Sequence, residues 1–434
     1  MLFQKTREKA FWIYDKLRDG KVGNHFEDIS SILDEWDVDS KRKVEKYLMD
    51  LLTHAVETTP YYAKLDSHSD ISAFPIVNKN LIRDNYEQFV SKAFKKGELQ
   101  PAVTSGSTGT PFKVLHNRNK VYRNSADTLY FAKLAGYELG QRLYYLKIWN
   151  DENKKSKFTS FTQNIIPKNV LDQSDAFFEK FVRDLNKDKS AKSFLGYSSA
   201  FEALCKYLDK TGSKRVSSNV KSIITMSEAL DSYTKNSLRE YFGCEVVSRY
   251  SNIENGILAQ QKRGGGQEFY LNSASYFFEV LQVNSDKPVP VGSPGRIVVT
   301  DLFNYGMPMI RYDTGDIGTL DLNDSGEFVL SKVEGRKMDM IYDTKKELVS
   351  SFVVTNNMWK YTDIKQYQFV QESSNSYYFK LNPKDKFNRE EELINEFKTY
   401  LGENAKIRVE YVSEIPLLAS GKRKKVVNKW TGTD

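Results

Sequence analysis

Apolar residues recur every three or four positions through the first 60 residues, in FWIYDKLRD and in KVEKYLMDLLTHAVET. That period is the stripe of an amphipathic helix, and Pro60 stops the second one. The segments TPYYAKL at 59–65 and FPIVNKNLIRDNYEQFV at 74–90 follow, where Asn78 or Asn80 is placed to cap a short helix. From 101 the texture changes. PAVTSGSTGTPFKVLH sets a polar, glycine-rich loop between two short β-like runs, AVT and FKVLH. A helical pattern fills 118–135. Apolar runs at LYYLKIW, IIPKNVL, SFLGY, KSIITM and CEVVSRYSN then alternate with amphipathic segments such as SYTKNSLREYFG, which ends at Gly243. Strand and helix alternating from 143 to 250 predict a mainly parallel α/β sheet.

After 256 the pattern turns β-rich. GGGQEFYLN, YFFEVLQVN, GRIVVTDLF and GEFVLSKVEGR are short runs parted by Gly, Asn, Asp and Pro. Mixed character returns from 347, with the strand-like YQFVQE, YYFKLN and IRVEYV and the helix REEELINEFKTYLGENA. The expected fold is α/β. A large N-terminal α/β domain with mixed sheets spans 1–334, and a small mobile α+β domain spans 335–434, with the boundary near VEGRKMDM at 333–340.

Composition narrows the class. With 40% hydrophobic and 28% charged residues in 434, the chain has material for a sizeable core. No run approaches the ~18 apolar residues of a membrane span. The opening MLFQKTREKAFWIYDKLRDG is charged throughout and lacks the apolar region of a signal peptide. Two cysteines, Cys205 and Cys244, and four histidines without metal-ligand spacing speak against a disulfide scaffold or a zinc enzyme. A cytoplasmic protein without a transmembrane segment is expected. The net charge of +7 mildly favours anionic ligands. Helix-turn-helix, zinc-finger and RNP-type motifs are missing, so no nucleic acid is expected as partner.

Candidate chemistry concentrates in five places. Thr104-Ser105-Gly106-Ser107-Thr108-Gly109-Thr110-Pro111 joins glycines, which let a backbone approach an anion, with hydroxyl donors. It is not a Walker A loop, because no Gly-Lys-Ser/Thr ends it. An ordinary surface turn is the competing reading. Tyr250-Ser251-Asn252-Ile253-Glu254 follows a strand end, where open α/β sheets place their ligands. Arg311-Tyr312-Asp313-Thr314-Gly315-Asp316 offers a carboxylate after a glycine turn, suited to two ribose hydroxyls or to a plain hairpin. Gly335-Arg336 stands at the expected boundary. Ser420-Gly421-Lys422 precedes Arg423, Lys424 and Lys425, a run equally readable as a solvated basic tail.

In this order, TSGSTGTP, YSNIE, RYDTGD, GRKMD and SGK resemble the signature series of the adenylate-forming superfamily. Acyl-CoA synthetases, nonribosomal-peptide adenylation domains and firefly luciferase belong to it. TPYYAKL followed by FPIVNKNLIRDNYEQF is similar to its phenylacetate–CoA ligase-like branch, and within that branch to CapK and coenzyme F390 synthetase proteins. The resemblance implies that ATP and a carboxylate give an acyl-adenylate and pyrophosphate, after which a second nucleophile displaces AMP. It implies that Thr104, Ser105, Gly106, Ser107, Thr108, Gly109 and Thr110 hold the β- and γ-phosphates. Ser227 and Glu228 match a segment lining the adenine pocket. Tyr250 would pack on adenine, with Asn252 in the same nucleotide-binding strand end. Glu254 would help hold Mg²⁺, and Asp316 and Arg336 would bind the ribose. Lys422 would reach the bridge between ribose, α-phosphate and carboxylate. ATP/AMP and Mg²⁺ are thus the implied cofactors, with CoA among the acceptors.

The chain departs from the family pattern at three points. Ile253 stands where a hydroxyl is usual. Met338 replaces the hinge acid, with Asp339 beside it. The loop 342–351, YDTKKELVSS, lacks the glycine that CoA-using relatives place near the pantetheine tunnel. Adenylation is therefore expected, and CoA is expected to be a poor acceptor. The expected function is a carboxylate-activating ligase of surface-polysaccharide or secondary metabolism. Its acceptor is CoA, a carrier thiol, or a sugar amine or hydroxyl. An adenylyltransferase of the F390 synthetase kind and a degenerate nucleotide-binding assembly partner are the alternatives.

Overall fold

A computed structural model of the chain describes residues 2–65, 70–104, 112–149, 154–216, 218–336, 340–349, 352–361, 363–416 and 424–430. The amphipathic opening forms three helices, α1 (Leu2–Lys16), α2 (Lys21–Leu33) and α3 (Val38–Thr58). Asp37 caps α3 by accepting from the Ser40 N–H, and Thr59 turns extended ahead of Pro60. Two short helices follow, α4 (Lys79–Asp84) and α5 (Tyr86–Phe89). Asn78 is the cap of α4, its Oδ1 accepting from the Asn80 and Leu81 N–H groups at 3.0 Å each. The strands β1 (Leu99–Thr104) and β2 (Phe112–Asn117) pair antiparallel, and α6 (Arg118–Leu134) follows.

The alternating region reads as expected. It runs β3 (Arg142–Lys147), α7 (Lys157–Thr162), β4 (Ile165–Asn169), α8 (Asp175–Lys187), β5 (Lys192–Tyr197), α9 (Ser198–Lys210), β6 (Val220–Met226), α10 (Ser232–Phe242) and β7 (Val246–Asn252). All five strands are parallel. Between β5 and α9 the chain passes straight from strand to helix. Gly196 lies so close to β3 that a Cβ there would sit 2.7 Å from the Leu146 carbonyl oxygen.

The β-rich stretch continues this sheet. It comprises β8 (Gly256–Gln260), β9 (Phe269–Leu271), β10 (Tyr276–Leu281), β11 (Pro294–Asp301), β12 (Tyr312–Leu322) and β13 (Phe328–Arg336). One eleven-stranded sheet results, in the order β10-β11-β12-β13-β9-β8-β7-β6-β5-β3-β4. Periodicity does not reveal β8 or β12. The latter, YDTGDIGTLDL, is acidic and glycine-rich. It is extended because β11 and β13 pair with its backbone on both sides, which overrides a weak side-chain propensity.

The C-terminal residues form a second sheet with its own core. They comprise β14 (Ile341–Tyr342), β15 (Leu348–Val349), α11 (Phe352–Asn357), β16 (Ile364–Gln371), β17 (Ser376–Pro383), α12 (Glu390–Leu401), β18 (Lys406–Tyr411) and β19 (Val426–Asn428). The four-stranded order is β18-β17-β16-β19. Phe369, Tyr377, Phe379, Leu393, Phe397 and Leu401 pack inside. Three residues are too few for a periodic signal, and β19 exists because β16 offers its free edge.

An ion pair joins the C-terminal residues to the large sheet's helix α9. Lys425, just before β19, donates to Glu202 of α9 at 2.7 Å. Lys206, one turn on from Glu202, lies 3.0 Å from the same carboxylate. Burial opposes the charge on Glu202, but Lys425 and Lys206 outweigh it and hold the carboxyl at about 2, below its ordinary 4.5. A depressed carboxyl stabilises the fold above its unfolded value and loses that contribution as pH falls through its folded value. Wild-type melting temperature is therefore expected to fall more steeply than that of Glu202→Gln as pH drops from about 5 to about 3. Parallel melting curves would remove the pair from the account.

Candidate functional site

β7 and β8 form a hairpin whose turn sits at the carboxyl edge of the parallel strands. Asn252 shapes it, its Oδ1 accepting from the Asn255 N–H at 2.8 Å. Glu254, inside the turn, is only 1% exposed. A buried carboxylate needs partners. Its Oε1 accepts from the Tyr312 hydroxyl at 2.9 Å and pairs with Lys79 Nζ at 2.8 Å. Its Oε2 has no partner among the described residues. Its carbonyl accepts from His116 Nε2 at 2.8 Å.

A second layer fixes the turn from behind. The Asn255 carbonyl accepts from the Tyr276 hydroxyl at 2.6 Å, and that hydroxyl accepts from Lys120 Nζ at 2.8 Å. Lys120 is fully buried against Asp301 at 2.6 Å. Removing either member of such a pair leaves an uncompensated buried charge, so the turn is held on a stiff base.

The acidic strand β12 faces this turn. Arg311 enters it at φ 52°, a left-handed conformation. Its guanidinium grips Glu279 through two bonds, of 3.1 and 2.8 Å, and donates to the Phe74 carbonyl at 3.1 Å. Asp313 pairs with Arg296 at 2.7 Å. Gly315, at φ 78°, turns the strand so that Asp316 comes inward. Asp316 Oδ2 accepts from the Tyr250 hydroxyl at 2.8 Å, and Thr314 Oγ1 accepts from it at 3.3 Å. Burial, then the Asp316 charge, push the Tyr250 phenol well above its usual range. Burial and Glu254 do the same for Tyr312. Both phenols are therefore protonated donors near neutral pH.

Three of the expected residues, Tyr250, Glu254 and Asp316, meet in one cluster, with Asn252 in the adjoining turn. Arg336 is the cross-strand neighbour of Asp316 in β13. Thr104 closes the β1–β2 pair, its Oγ1 accepting from the Phe112 N–H at 3.4 Å. Ser227 is exposed at the end of β6 in the left-handed region, φ 70°. The Glu228 carboxylate caps α9, accepting from the Ser199 N–H at 2.9 Å. Ser105, Gly106, Ser107, Thr108, Gly109, Thr110 and Lys422 lie outside the described residues.

Lys79, His116, Lys120 and the Tyr312 hydroxyl were not foreseen as site residues. Tyr312 stands within the RYDTGD run, and Lys79 directly follows the capping Asn78. What joins them is a parallel bridge between Val77 and Tyr312. In it the Val77 N–H donates to the Arg311 carbonyl at 3.1 Å and the Asp313 N–H to the Val77 carbonyl at 2.8 Å. No local pattern announces a contact between segments so far apart.

Comparison with known proteins agrees with this architecture. The family model of the CapK C-terminal domain matches residues 341–429. Protein CapK of Staphylococcus aureus is 23% identical over 374 residues, covering 83% of this chain and 80% of CapK. A phenylacetate-coenzyme A ligase of Aromatoleum evansii is 21% identical over 410 residues, covering 87% of this chain and 91% of the ligase. Among solved structures, 2-hydroxyisobutyryl-CoA ligase, in the postadenylation state in complex with 2-HIB-AMP, shares the fold. Its TM-score is 0.71 at 14% identity, covering 91% of this chain and 90% of that one. Among the described residues no helix is long and apolar enough to cross a membrane. Sequence likeness over most of its length to CapK and a coenzyme A ligase, joined to this fold of a large mixed sheet and a small C-terminal sheet, shows that the chain belongs to the adenylate-forming superfamily.

Proposed function

We propose that the chain is an ATP-dependent ligase that activates a carboxylic acid and passes it to a thiol. In the first step a carboxylate oxygen bonds to the α-phosphorus of ATP and the bond to pyrophosphate breaks. In the second a thiol sulfur bonds to the acyl carbon, the thiol loses its proton and AMP leaves. The observation that carries this reading is the meeting of Tyr250 with Asp316 at 2.8 Å and of Glu254 with Tyr312 at 2.9 Å. Distant motifs thereby form one polar site at the carboxyl edge of a parallel sheet, where such sheets bind ligands.

Each group has a task suited to its chemistry. The Asp316 carboxylate accepts from the ribose hydroxyls. The bond from Tyr250 to Asp316 fixes the phenol, so its ring is a stationary flat face for adenine. Lys79 keeps a positive charge near the phosphates. Glu254 also fits Mg²⁺, a hard cation that takes one or two carboxylates and completes its shell with phosphate oxygens and water. Among the described residues no three acidic, histidine or cysteine groups cluster, which suits an ion held chiefly by the nucleotide. When bound, such an ion offsets charge on the phosphates. The glycine and hydroxyl run at 104–110 and Lys422 are proposed for the phosphates and the reacting bridge, on the family resemblance.

Pyrophosphate exchange into ATP, run with a panel of carboxylic acids, tests the first step. Exchange that depends on an acid is expected, and hydroxylamine should trap the adenylate as a hydroxamate. ATP turnover without any acid dependence would overturn the reading. AMP release with CoA and with a carrier thiol then tests the second step. The coenzyme A ligase named among the relatives supports a thiol there.

Asp316→Ala is expected to weaken ATP binding by about 1.5–3 kcal/mol, the worth of a hydrogen bond to a charged group. The melting temperature should fall less than that of Glu254→Ala, because Asp316 is half-buried and Thr314 Oγ1 still accepts from the Tyr250 hydroxyl. A large fall in melting temperature with unchanged nucleotide affinity would make Asp316 a structural residue of β12.

A further inference from the structure

Arg249 precedes Tyr250 on β7. Strand side chains alternate, so Arg249 lies on the opposite face of the sheet, at the same carboxyl edge. It is 93% buried, its exposure being 7%. A guanidinium carries five donors. Here Nε donates to Gln260 Oε1 at 2.8 Å. Nη2 is buried and has no partner among the described residues. Burial lowers the guanidinium pKa to about 10, and of the charges around it only the Tyr145 phenol opposes this. No carboxylate among the described residues balances the charge.

The neighbours make this a place rather than a stray side chain. Gln260 is anchored by its own Nε2, which donates to the Phe131 carbonyl at 2.7 Å, so its Oε1 is aimed at Arg249. Met226 is the β6 residue beside Arg249. The Tyr145 hydroxyl reaches over from β3 to Met226 Sδ at 4.0 Å. Lys147, two residues past Tyr145 and thus on the same face, sets its ammonium 4.3 Å from the Trp149 ring centre. It too has no carboxylate partner among the described residues, and burial lowers its pKa, followed by repulsion from Lys155. Two cations without a counter-ion among the described residues therefore share one face of the sheet, with aromatic groups between them.

A buried guanidinium with an unpartnered Nη2 and no described carboxylate beside it is costly to the free protein. A ligand carboxylate relieves that cost, because its two oxygens match the guanidinium fork. We propose that the acid activated by this chain carries a second carboxylate, and that Arg249 receives it, with Lys147 adding charge across the sheet. This rests on the adenylation reading given above. The strand end divides the ligand: nucleotide on the Tyr250 side, acid on the Arg249 side.

Pyrophosphate exchange with succinate, glutarate and phthalate, each beside its monoacid counterpart (butyrate, valerate and benzoate), tests the proposal. Exchange is expected with a diacid, and Arg249→Met should raise its KM about 100-fold, as loss of a charge-assisted hydrogen bond does. The KM for ATP should change less than about threefold. The melting temperature of ligand-free Arg249→Met should equal or exceed that of wild type, since an unmatched buried charge has been removed. Arg249→Lys, which keeps the charge but not the fork, should fold and give an intermediate KM. Exchange with monoacids alone overturns the proposal and leaves adenylation standing. An unchanged diacid KM in Arg249→Met also overturns it, as does a large loss of melting temperature in that variant with normal diacid KM in Arg249→Lys. No exchange with any acid overturns both.

Discussion

Glu254→Gln should slow pyrophosphate exchange by about 10²–10³-fold, the usual effect of losing one preorganised electrostatic contact, and should leave the melting temperature within about 2 °C. The geometry explains the asymmetry. A glutamine oxygen still accepts from Tyr312 and Lys79, so the two groups that meet Oε1 at 2.9 and 2.8 Å keep an acceptor. Only the negative charge goes, and with it the seat proposed for Mg²⁺. Glu254→Ala should behave differently. It strips the fully buried Tyr312 hydroxyl of its acceptor, which costs about 1–3 kcal/mol of stability in addition to the lost rate. Melting curves and exchange assays on the two variants separate the roles. Wild-type exchange by the glutamine variant would leave Glu254 as a structural carboxylate alone.

Lys422→Ala should reduce adenylate formation by a similar factor, about 10²–10³, with the fold intact. Lys422 itself lies outside the described residues, but the chain on both sides of it is tied to β16. The Ile415 N–H donates to Gln366 Oε1 at 2.8 Å, and the Lys424 carbonyl accepts from Gln368 Nε2 at 2.8 Å. Lys425 then makes the 2.7 Å pair with Glu202 on α9. The described residues on either side of Lys422 are thus tethered to β16, and Lys425 to α9. A compact charge on a flexible stem suits the bridge between ribose, α-phosphate and carboxylate. Pyrophosphate exchange and melting temperature measured together decide the matter. Normal exchange would return the SGK run to a solvated tail.

These two predictions draw on different sources. The Lys422 role comes from the motif series, and the structure adds the tethers around it. The Glu254 prediction depends on contacts that no motif contains. Lys79 comes from the start of α4 and Tyr312 from the first position of β12, and both converge on one oxygen. Glu228 is a motif residue for which the structure adds a contact of its own, its carboxylate capping α9 at 2.9 Å from the Ser199 N–H.

By itself, the sequence determined what is local. The helical stripes of the first 60 residues, the Asn78 cap, the alternation of strand and helix from 143 to 250 and the left-handed stop at Gly243 all depend on neighbours within a few positions. Side-chain period and cap chemistry act over that range. Tyr250, Glu254 and Asp316 were also legible, because their residue types and order carry the family pattern. Tertiary structure alone decided the rest. β12 is a strand because β11 and β13 flank it, against its own acidic composition. Lys79 meets Glu254 because Val77 bridges to Tyr312. Arg249 is an ordinary charged residue in the sequence. It becomes an unbalanced cation only because its place on β7 buries it beside Gln260 and Met226, out of reach of any described carboxylate. Burial and long-range pairing are properties of the assembled sheet, and no window along the chain holds them.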